Sequence, residues 1–159
     1  MQKPTSLRKA LMSALPELRD QPDRLVIWVE DGAVRCRETP DHGFAFEYPL
    51  AILISEASTD IAIIAHAVNR WLRVNQPDRL TAGQGDSYKF EADILDNATA
   101  DIALTIQLTE DIKVAEMPDG SWSIDYLVEP DPLFEDGEAI DPAATAPPLS
   151  SVDTIVADD

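Results

Sequence analysis

Cysteine and histidine, which supply many nucleophiles, acid–base groups and metal ligands, are almost missing from this sequence. One cysteine, Cys36, occurs in 159 residues, so no disulfide can form within the chain. The two histidines, His42 and His66, have no Cys or carboxylate neighbours at the spacing of metal ligands. We therefore expect no metal, no cofactor and no catalytic residue. Cys36 is interpreted as a small strand residue, and His66 as a helical residue at the edge of the core.

Basic residues are also scarce, since 12 Lys and Arg stand against 30 Asp and Glu and give a formal net charge of -18. A protein that binds nucleic acid needs a basic face that displaces counterions from phosphates. This chain is instead expected to be repelled by DNA and by anionic lipid. The charge favours a basic protein partner, or the wall of a channel through which nucleic acid slides without adhering.

Long apolar runs and a secretory signal are not evident in the sequence. The stretch after Lys3 is amphipathic, and the longest apolar runs are far shorter than a membrane span. We expect a soluble protein made in a reducing cytoplasm. Hydrophobic residues form 45% of the chain, which is enough for one domain with a buried core.

Two segments have the periodicity of amphipathic helices. In residues 4–19 leucines recur at spacings of four, four and three, and Pro16 is expected to kink this helix or to end its first part. Ser58 or Thr59 is expected to cap a second helix, which runs to about Asn75 with an aliphatic stripe along one side.

Seven segments have the pattern of strands, three before the second helix and four after it. They are residues 24–30, 33–38, 45–55, 88–95, 102–109, 112–116 and 121–126. The first is apolar at nearly every position, which predicts a strand covered on both faces. Pro49 within the third predicts an edge position or a bulge, because proline cannot donate to a ladder. We predict an α+β domain in which two main helices pack on a largely antiparallel or mixed sheet of about six to seven strands.

The composition changes after residue 129. Residues 129–159 contain nine acids, no base and five prolines. Such a segment cannot bury enough apolar surface to fold by itself. We therefore predict a domain over residues 1–129 and an acidic Pro/Ala-rich tail over 130–159 that only partners order. Its last apolar residues, Leu149 to Val156, are candidates to bind a neighbour as an added strand.

Four carboxylates, Glu91, Asp93, Asp96 and Asp101, form the most chemically suggestive group. Such a group can bind a hard cation or supply a general acid and base. The glycine and the dense oxygen spacing of a calcium loop are missing, so the preferred interpretation is the solvated face of an amphipathic strand. The fragment at 83–86 (GQGD) follows a helix and precedes a strand, the reverse of the order required for phosphate binding, and is interpreted as a flexible loop.

Two separated motifs together resemble the tail completion protein R family of contractile-tailed phages. The first consists of Lys3, Pro4, Ser6, Leu7, Arg8, Ala10, Leu11, Ala14, Leu15, Pro16, Pro22, Asp23, Arg24 and Leu25. The second runs from Phe90 to Asn97 and continues through Asp101 and 104–110, and Trp71-Leu72-Arg73 and Gln76-Pro77 lie between them. The resemblance extends to about Pro132.

The resemblance implies a structural protein of the virion without enzymatic activity, similar in fold to tail terminator proteins. It implies a hexameric ring that caps the head-proximal end of the tail tube, stops its elongation and helps to form the head–tail junction. Its partners would be the tube protein, the sheath and the head–tail connector, with assembly in the host cytoplasm and no membrane. Gly43 to Phe46, Leu80 to Asp86, the first helix and the acidic tail are candidate contacts.

Two other interpretations remain open from the residues. One is an acidic adaptor or DNA-mimic inhibitor that binds a basic partner, which predicts a monomer or dimer and binding that is lost at high salt. The other is a hydrolase that uses Glu91, Asp93 and Asp96, which predicts dependence on a divalent ion.

Overall fold

The computed structural model describes residues 1–37, 40–83 and 85–129. These residues form three α-helices, α1 (Lys3–Ala14), α2 (Pro16–Asp20) and α3 (Ile61–Asn75), and 3₁₀ turns at Pro22–Arg24 and Pro77–Leu80. Six strands accompany them: β1 (Leu25–Val29), β2 (Ala33–Cys36), β3 (Phe44–Ala57), β4 (Lys89–Ile94), β5 (Ala100–Glu116) and β6 (Trp122–Tyr126). The acidic tail predicted over 130–159, and Glu38 at the end of the second predicted strand, lie outside the described residues.

The sheet is built around β3 and β5, which are much longer than the other strands and pair with each other. At one end, which we call the proximal half, the order is β1-β3-β5-β4. At the other end, the distal half, β2 pairs with the start of β3 and β6 pairs with the end of β5. Every pairing is antiparallel. The predicted α+β class is therefore confirmed.

The helices pack on one face of the sheet, which we call the helix face. The even-numbered residues of β3 and β5 point to this face, because alternate residues of a strand point to opposite sides. Leucines of α1 and the apolar side of α3, including Trp71, are buried against them. The other side, the open face, carries no layer formed by the described residues.

The helix boundaries confirm one detail of the sequence prediction and correct another. The first part of the predicted helix ends before Pro16, because Leu15 is extended and Pro16 begins a new helix, as its missing N–H favours. The cap of α3 is Asp60, whose side chain accepts a hydrogen bond from the Ala62 N–H at 2.7 Å. The predicted caps, Ser58 and Thr59, instead donate to the carboxylate of Glu17 in α2.

The prediction that the first strand is covered on both faces is wrong. Leu25, Ile27 and Val29 face the helices, whereas Val26 and Trp28 are exposed on the open face. The run is apolar throughout, so its period gave no indication that only one side is buried.

Pro49 lies in an interior strand, which contradicts the predicted edge position or bulge. Its partner across β5 is Gln107, and the register there is regular. The C=O of Pro49 accepts from the Glu30 N–H, at the gap between β1 and β2. Since the N–H and C=O of a strand residue point to the same side, the missing N–H would have faced the Glu30 C=O, so Pro49 costs one bond where the β1 ladder ends at Val29.

The predicted strands 102–109 and 112–116, which lie on either side of Glu110, are one continuous strand, β5. Glu110 and Asp111 interrupt the apolar alternation, which made the sequence resemble two short strands. Glu110 is nevertheless buried on the helix face, where it has its own partners.

Glu110 caps α1 from across the fold. Its Oε2 accepts hydrogen bonds from the backbone N–H of Gln2 at 2.7 Å and of Lys3 at 3.3 Å, and its Oε1 accepts from the Tyr48 hydroxyl. No side chain of α1 itself caps this helix, and its first turn contains no acid. The carboxylate therefore satisfies the orphan amides and complements the positive end of the helix dipole. Burial, followed by the hydrogen bond to Glu110 and its charge, raises the pKa of Tyr48.

Lys3 extends this buried network toward the end of the described chain. Its Nζ donates to Gln76 Oε1 at 2.8 Å, to the Thr109 C=O at 2.5 Å and to Glu129 Oε1 at 2.8 Å. Gln76 in turn accepts from the Thr109 N–H at 3.0 Å. The beginning of α1, the end of α3 and residue 129 are thus held at one point of β5.

We predict that Glu110→Gln lowers the free energy of unfolding by about 2 kcal/mol, because an amide NH₂ would oppose the buried donors. Tyr48→Phe should cost about 1 kcal/mol, since it removes one donor and leaves the carboxylate in place. Urea denaturation followed by circular dichroism measures both. Glu116→Gln on the same strand is exposed and should change stability by less than about 0.5 kcal/mol. An equal effect of the two Gln variants would contradict the capping role.

Glu17 predicts a dependence of stability on acid pH. Burial raises the pKa of this carboxyl, but hydrogen bonds from Ser58 and Thr59 outweigh that effect and hold the pKa below its ordinary value. Its contribution is present above the unfolded pKa of about 4.3 and is lost as pH falls through the lower folded pKa. The difference in Tm between the wild type and Glu17→Gln should therefore be larger at pH 6 than at pH 3. Asp20→Asn, an exposed change in the same helix, is the control.

Candidate functional site

Two members of the acidic group identified in the sequence, Asp96 and Asp101, accept hydrogen bonds from backbone groups of the fold. Asp96 Oδ1 accepts from the N–H groups of Ala98 and Thr99, both at 2.7 Å, and these bonds hold the pKa of Asp96 below its ordinary value. Asp101 Oδ1 accepts from the Glu56 N–H at 2.7 Å. These carboxylates therefore fix the β4–β5 turn and the end of β3.

The other two members of the group lie on the exposed strand β4. Asp93 is opposite Asp101, and Glu91 is opposite Ala103. Within the described ranges, no group of three or more His, Cys, Asp or Glu side chains is arranged to hold a metal ion. The arrangement is that of a solvated strand face, as the preferred interpretation proposed.

The remaining sequence candidates lie at separate places. Cys36 is exposed at the end of β2, and His66 is exposed on α3. The His42 ring makes an edge contact with Trp122, with ring centroids 4.8 Å apart. Gly83 and Gly85 have φ of 87° and 79°, so the loop after α3 needs glycine for its backbone conformation.

The distal half of the sheet presents an apolar surface that sequence reasoning did not identify as a unit. Cross-strand partners share a face, so the pairs Val34–Phe46 and Val114–Ile124 place their side chains on the helix face. Phe46 still packs against the core, and within the described ranges no helix lies over Val34 and Ile124, which are exposed. We call this surface the distal apolar face; it consists of Val34, Phe44, Phe46, Val114, Trp122 and Ile124.

The side chains of the distal apolar face remain accessible to solvent. Trp122 is 49% exposed and Ile124 is 60% exposed, and Val34 is also exposed. Phe44 and Phe46 are half-buried and pack edge to face with centroids 5.4 Å apart. Contiguous exposed apolar surface of this kind, rich in aromatic side chains, marks sites of protein association.

Of the contact candidates named from the sequence, the segment Gly43 to Phe46 contributes Phe44 and Phe46 to this surface, whereas Ala45 points to the open face. Gly43 directly precedes β3, and a Cβ on it would lie 3.0 Å from the Ile112 C=O, so the chain approaches β5 closely there. In the other candidate segment, Leu80 packs against the core.

None of the helices in the described part of the chain is both long and apolar enough to cross a bilayer.

Comparison with known proteins agrees with the two motifs. The family model of the P2 phage tail completion protein R (GpR) matches residues 1–130. The tail completion protein R of Escherichia phage P2 is 35% identical over 134 residues, which cover 83% of this chain and 86% of that protein. No solved structure matches the chain. The chain therefore belongs to the P2 phage tail completion protein R family, and it is a structural protein of phage tail completion.

Proposed function

We propose that this protein caps the head-proximal end of the tail tube as a hexameric ring, stops elongation of the tube and helps to form the head–tail junction. The observation that carries the proposal is the distal apolar face. It is an exposed apolar surface at one end of the sheet, with no layer over it formed by the described residues. A protein whose role is to finish a polymer needs such a surface to cover the growing end.

The position of the distal apolar face supports a contact with the tube rather than with a small ligand. It lies on paired strands, where the backbone is fixed by ladder hydrogen bonds. Its exposed Trp122 and half-buried phenylalanines belong to the aromatic residues that are enriched at protein interfaces. The tube protein is the proposed occupant, with the sheath and the head–tail connector contacting other surfaces of the ring.

The charge of the chain supports the proposed location around a DNA passage. The formal net charge is -18, and the open face carries acids on β4 and β5, including Glu91, Asp93 and Asp111. Like charges keep DNA from adhering while it passes. We propose that the protein acts without enzymatic activity and without a cofactor, and that it assembles in the host cytoplasm before the tail joins a filled head.

The test uses purified protein and tail tubes assembled in vitro from the tube protein. We expect native mass spectrometry to detect a hexamer, alone or on tubes, and electron microscopy to show six-fold density at one end of each tube. Added protein should also stop tubes from growing beyond their length at the time of addition. A protein that stays monomeric and leaves tube length unchanged would contradict the proposal and favour an acidic adaptor of a basic partner.

We predict that Ile124→Asp abolishes capping while the subunit stays folded. Ile124 is largely exposed, so the change costs little stability in the subunit, but it would place a charge in the buried contact with the tube. Thr105→Asp adds the same charge to an exposed position at the centre of the open face and should leave capping intact. Tube length distributions and Tm values are compared for the two variants. Normal capping by Ile124→Asp would exclude the distal apolar face as the contact.

A further inference from the structure

The outer edge of β4 has unpaired backbone groups. The Leu95 N–H donates to the Thr99 C=O at 3.1 Å, so this position bonds toward β5. Hydrogen-bonding direction alternates along an antiparallel strand, and the odd-numbered residues of β4 therefore bond to β5. The N–H and C=O groups of Phe90, Ala92 and Ile94 point outward, and no described residue hydrogen-bonds to them. All six residues of β4 are exposed.

Among the described residues, the outer edge of β1 is open at Ile27 and Val29, whereas the Leu25 C=O accepts a hydrogen bond from Arg8 at 3.0 Å. The Glu30 N–H donates to the Pro49 C=O, so Val26 and Trp28 bond toward β3. Ile27 and Val29 therefore direct their backbone groups outward, where none of the described residues pairs with them. This run of five apolar residues has no charge, proline or bulge, which are the features that usually protect an edge strand from pairing with another chain.

The two free edges are complementary in strand direction and in the face of the sheet to which their outward residues point. Four strands alternate in direction across the proximal half, so a copy placed beside β4 in the same orientation presents its β1 antiparallel to β4. The outward residues of β4 are even-numbered and point to the helix face. The outward residues of β1 also point to the helix face. Pairing the two edges therefore keeps the helices of both copies on the same side of one continuous sheet.

An uncovered groove beside β4 supports the addition of a second copy there. The groove has a volume of about 400 Å³ and lies between α3 and β4, lined by residues that include Ile61, Ala65 and Phe90. Phe90 is 61% exposed and Ile94 is 76% exposed, although both are on the helix face. In a neighbouring copy α1 packs above β1. A neighbour that pairs with β4 therefore brings its own helix layer over this apolar surface.

Charge favours pairing of unlike edges over pairing of like edges. Glu91 and Asp93 are on the open face of β4, and two β4 edges together would bring these acids against one another. The corresponding positions of β1 are Val26 and Trp28, which carry no charge. Pairing of unlike edges is heterologous, and heterologous contacts produce rings when the rotation closes.

We infer that copies of this chain join head to tail through their sheet edges, with β4 of one copy paired antiparallel to β1 of the next. The inference rests on the proposed ring and names the contact that closes it. It also aligns the distal halves, because β6 lies on the same side of β5 as β4, and β2 on the same side of β3 as β1. The distal apolar faces of successive copies then form one continuous band around the ring.

Ala92→Pro tests the pairing without removing a bond inside the subunit. The Ala92 N–H points outward, so proline removes an edge donor, and its ring occupies space that the neighbouring strand needs. We expect the variant subunit to fold. We also expect ring formation to need a protein concentration about tenfold or more above that of the wild type. Asp93→Pro is the matched control, since its N–H bonds to β5, and it should lower Tm. Ring formation is measured by native mass spectrometry and by microscopy of capped tubes.

Cysteine cross-linking identifies the two strands directly. In a Cys36→Ser background, Val26→Cys is combined in turn with a cysteine at each odd-numbered position of β4, all of which lie on the open face. Residues opposite each other at non-hydrogen-bonded positions come close enough for a disulfide, with Cα atoms about 4.5 Å apart. We expect a ladder of covalent oligomers up to the full ring for at least one pair. Val26→Cys with Thr105→Cys at the sheet centre should give no ladder.

The outcomes separate this inference from the proposed function. Wild-type protein that forms no ring, alone or on tubes, would contradict both. Rings that form equally well with Ala92→Pro and give no β1–β4 cross-link would overturn the edge pairing and leave the ring in place. Dimers cross-linked through Val26→Cys alone would show that β1 pairs with itself, which also overturns the head-to-tail contact.

Discussion

The mismatch in length between strands and helices is the constraint on which this structure depends. A strand rises about 3.3 Å per residue and a helix 1.5 Å, so the 17 residues of β5 span roughly 56 Å while the 15 of α3 span roughly 22 Å. Two helices placed side by side cannot cover such a sheet. The proximal half therefore has a buried core, and the distal half has the same apolar alternation without a helix layer from the part of the chain that the structure describes. The distal apolar face is thus a direct result of strand length.

The boundary between the covered and uncovered halves is occupied by Glu110, and this explains how the helix layer is held in place. A carboxylate in the middle of an apolar strand face would be costly if it were unpaired. Here the start of α1 supplies two backbone donors and Tyr48 supplies a third. The strand provides the cap that α1 lacks in its own sequence, and the helix provides the partners that the buried acid requires. Lys3 joins the end of α3 and residue 129 to the same point.

The sequence predicted the elements well where the pattern is local and poorly where it depends on distant partners. The alternation of Ile102, Leu104, Ile106 and Leu108 and the stripe of α3 were sufficient for the α+β class and for most of the boundaries. The continuity of β5 through Glu110 was missed, because the groups that bury this acid lie between 62 and 108 residues away. One-sided burial of β1 was missed for a related reason, since an all-apolar run has no period that distinguishes its faces. The distal apolar face could not be assembled from sequence, because it joins β2, β3, β5 and β6 through their registers.

The described residues bring no group of His, Cys, Asp or Glu side chains together as a metal site, whereas the surfaces of the fold have clear features. The acids that resembled a site form a turn and an exposed strand, and the buried Glu110 caps a helix. What the fold leaves unsatisfied is instead extended: two rows of backbone groups at the edges of the proximal half and an apolar surface over the distal half. Both are surfaces of the kind that other protein chains cover, and both lie within the residues that match the family model. On the proposed function, this tail completion protein makes its contacts through the geometry of its sheet rather than through any single residue.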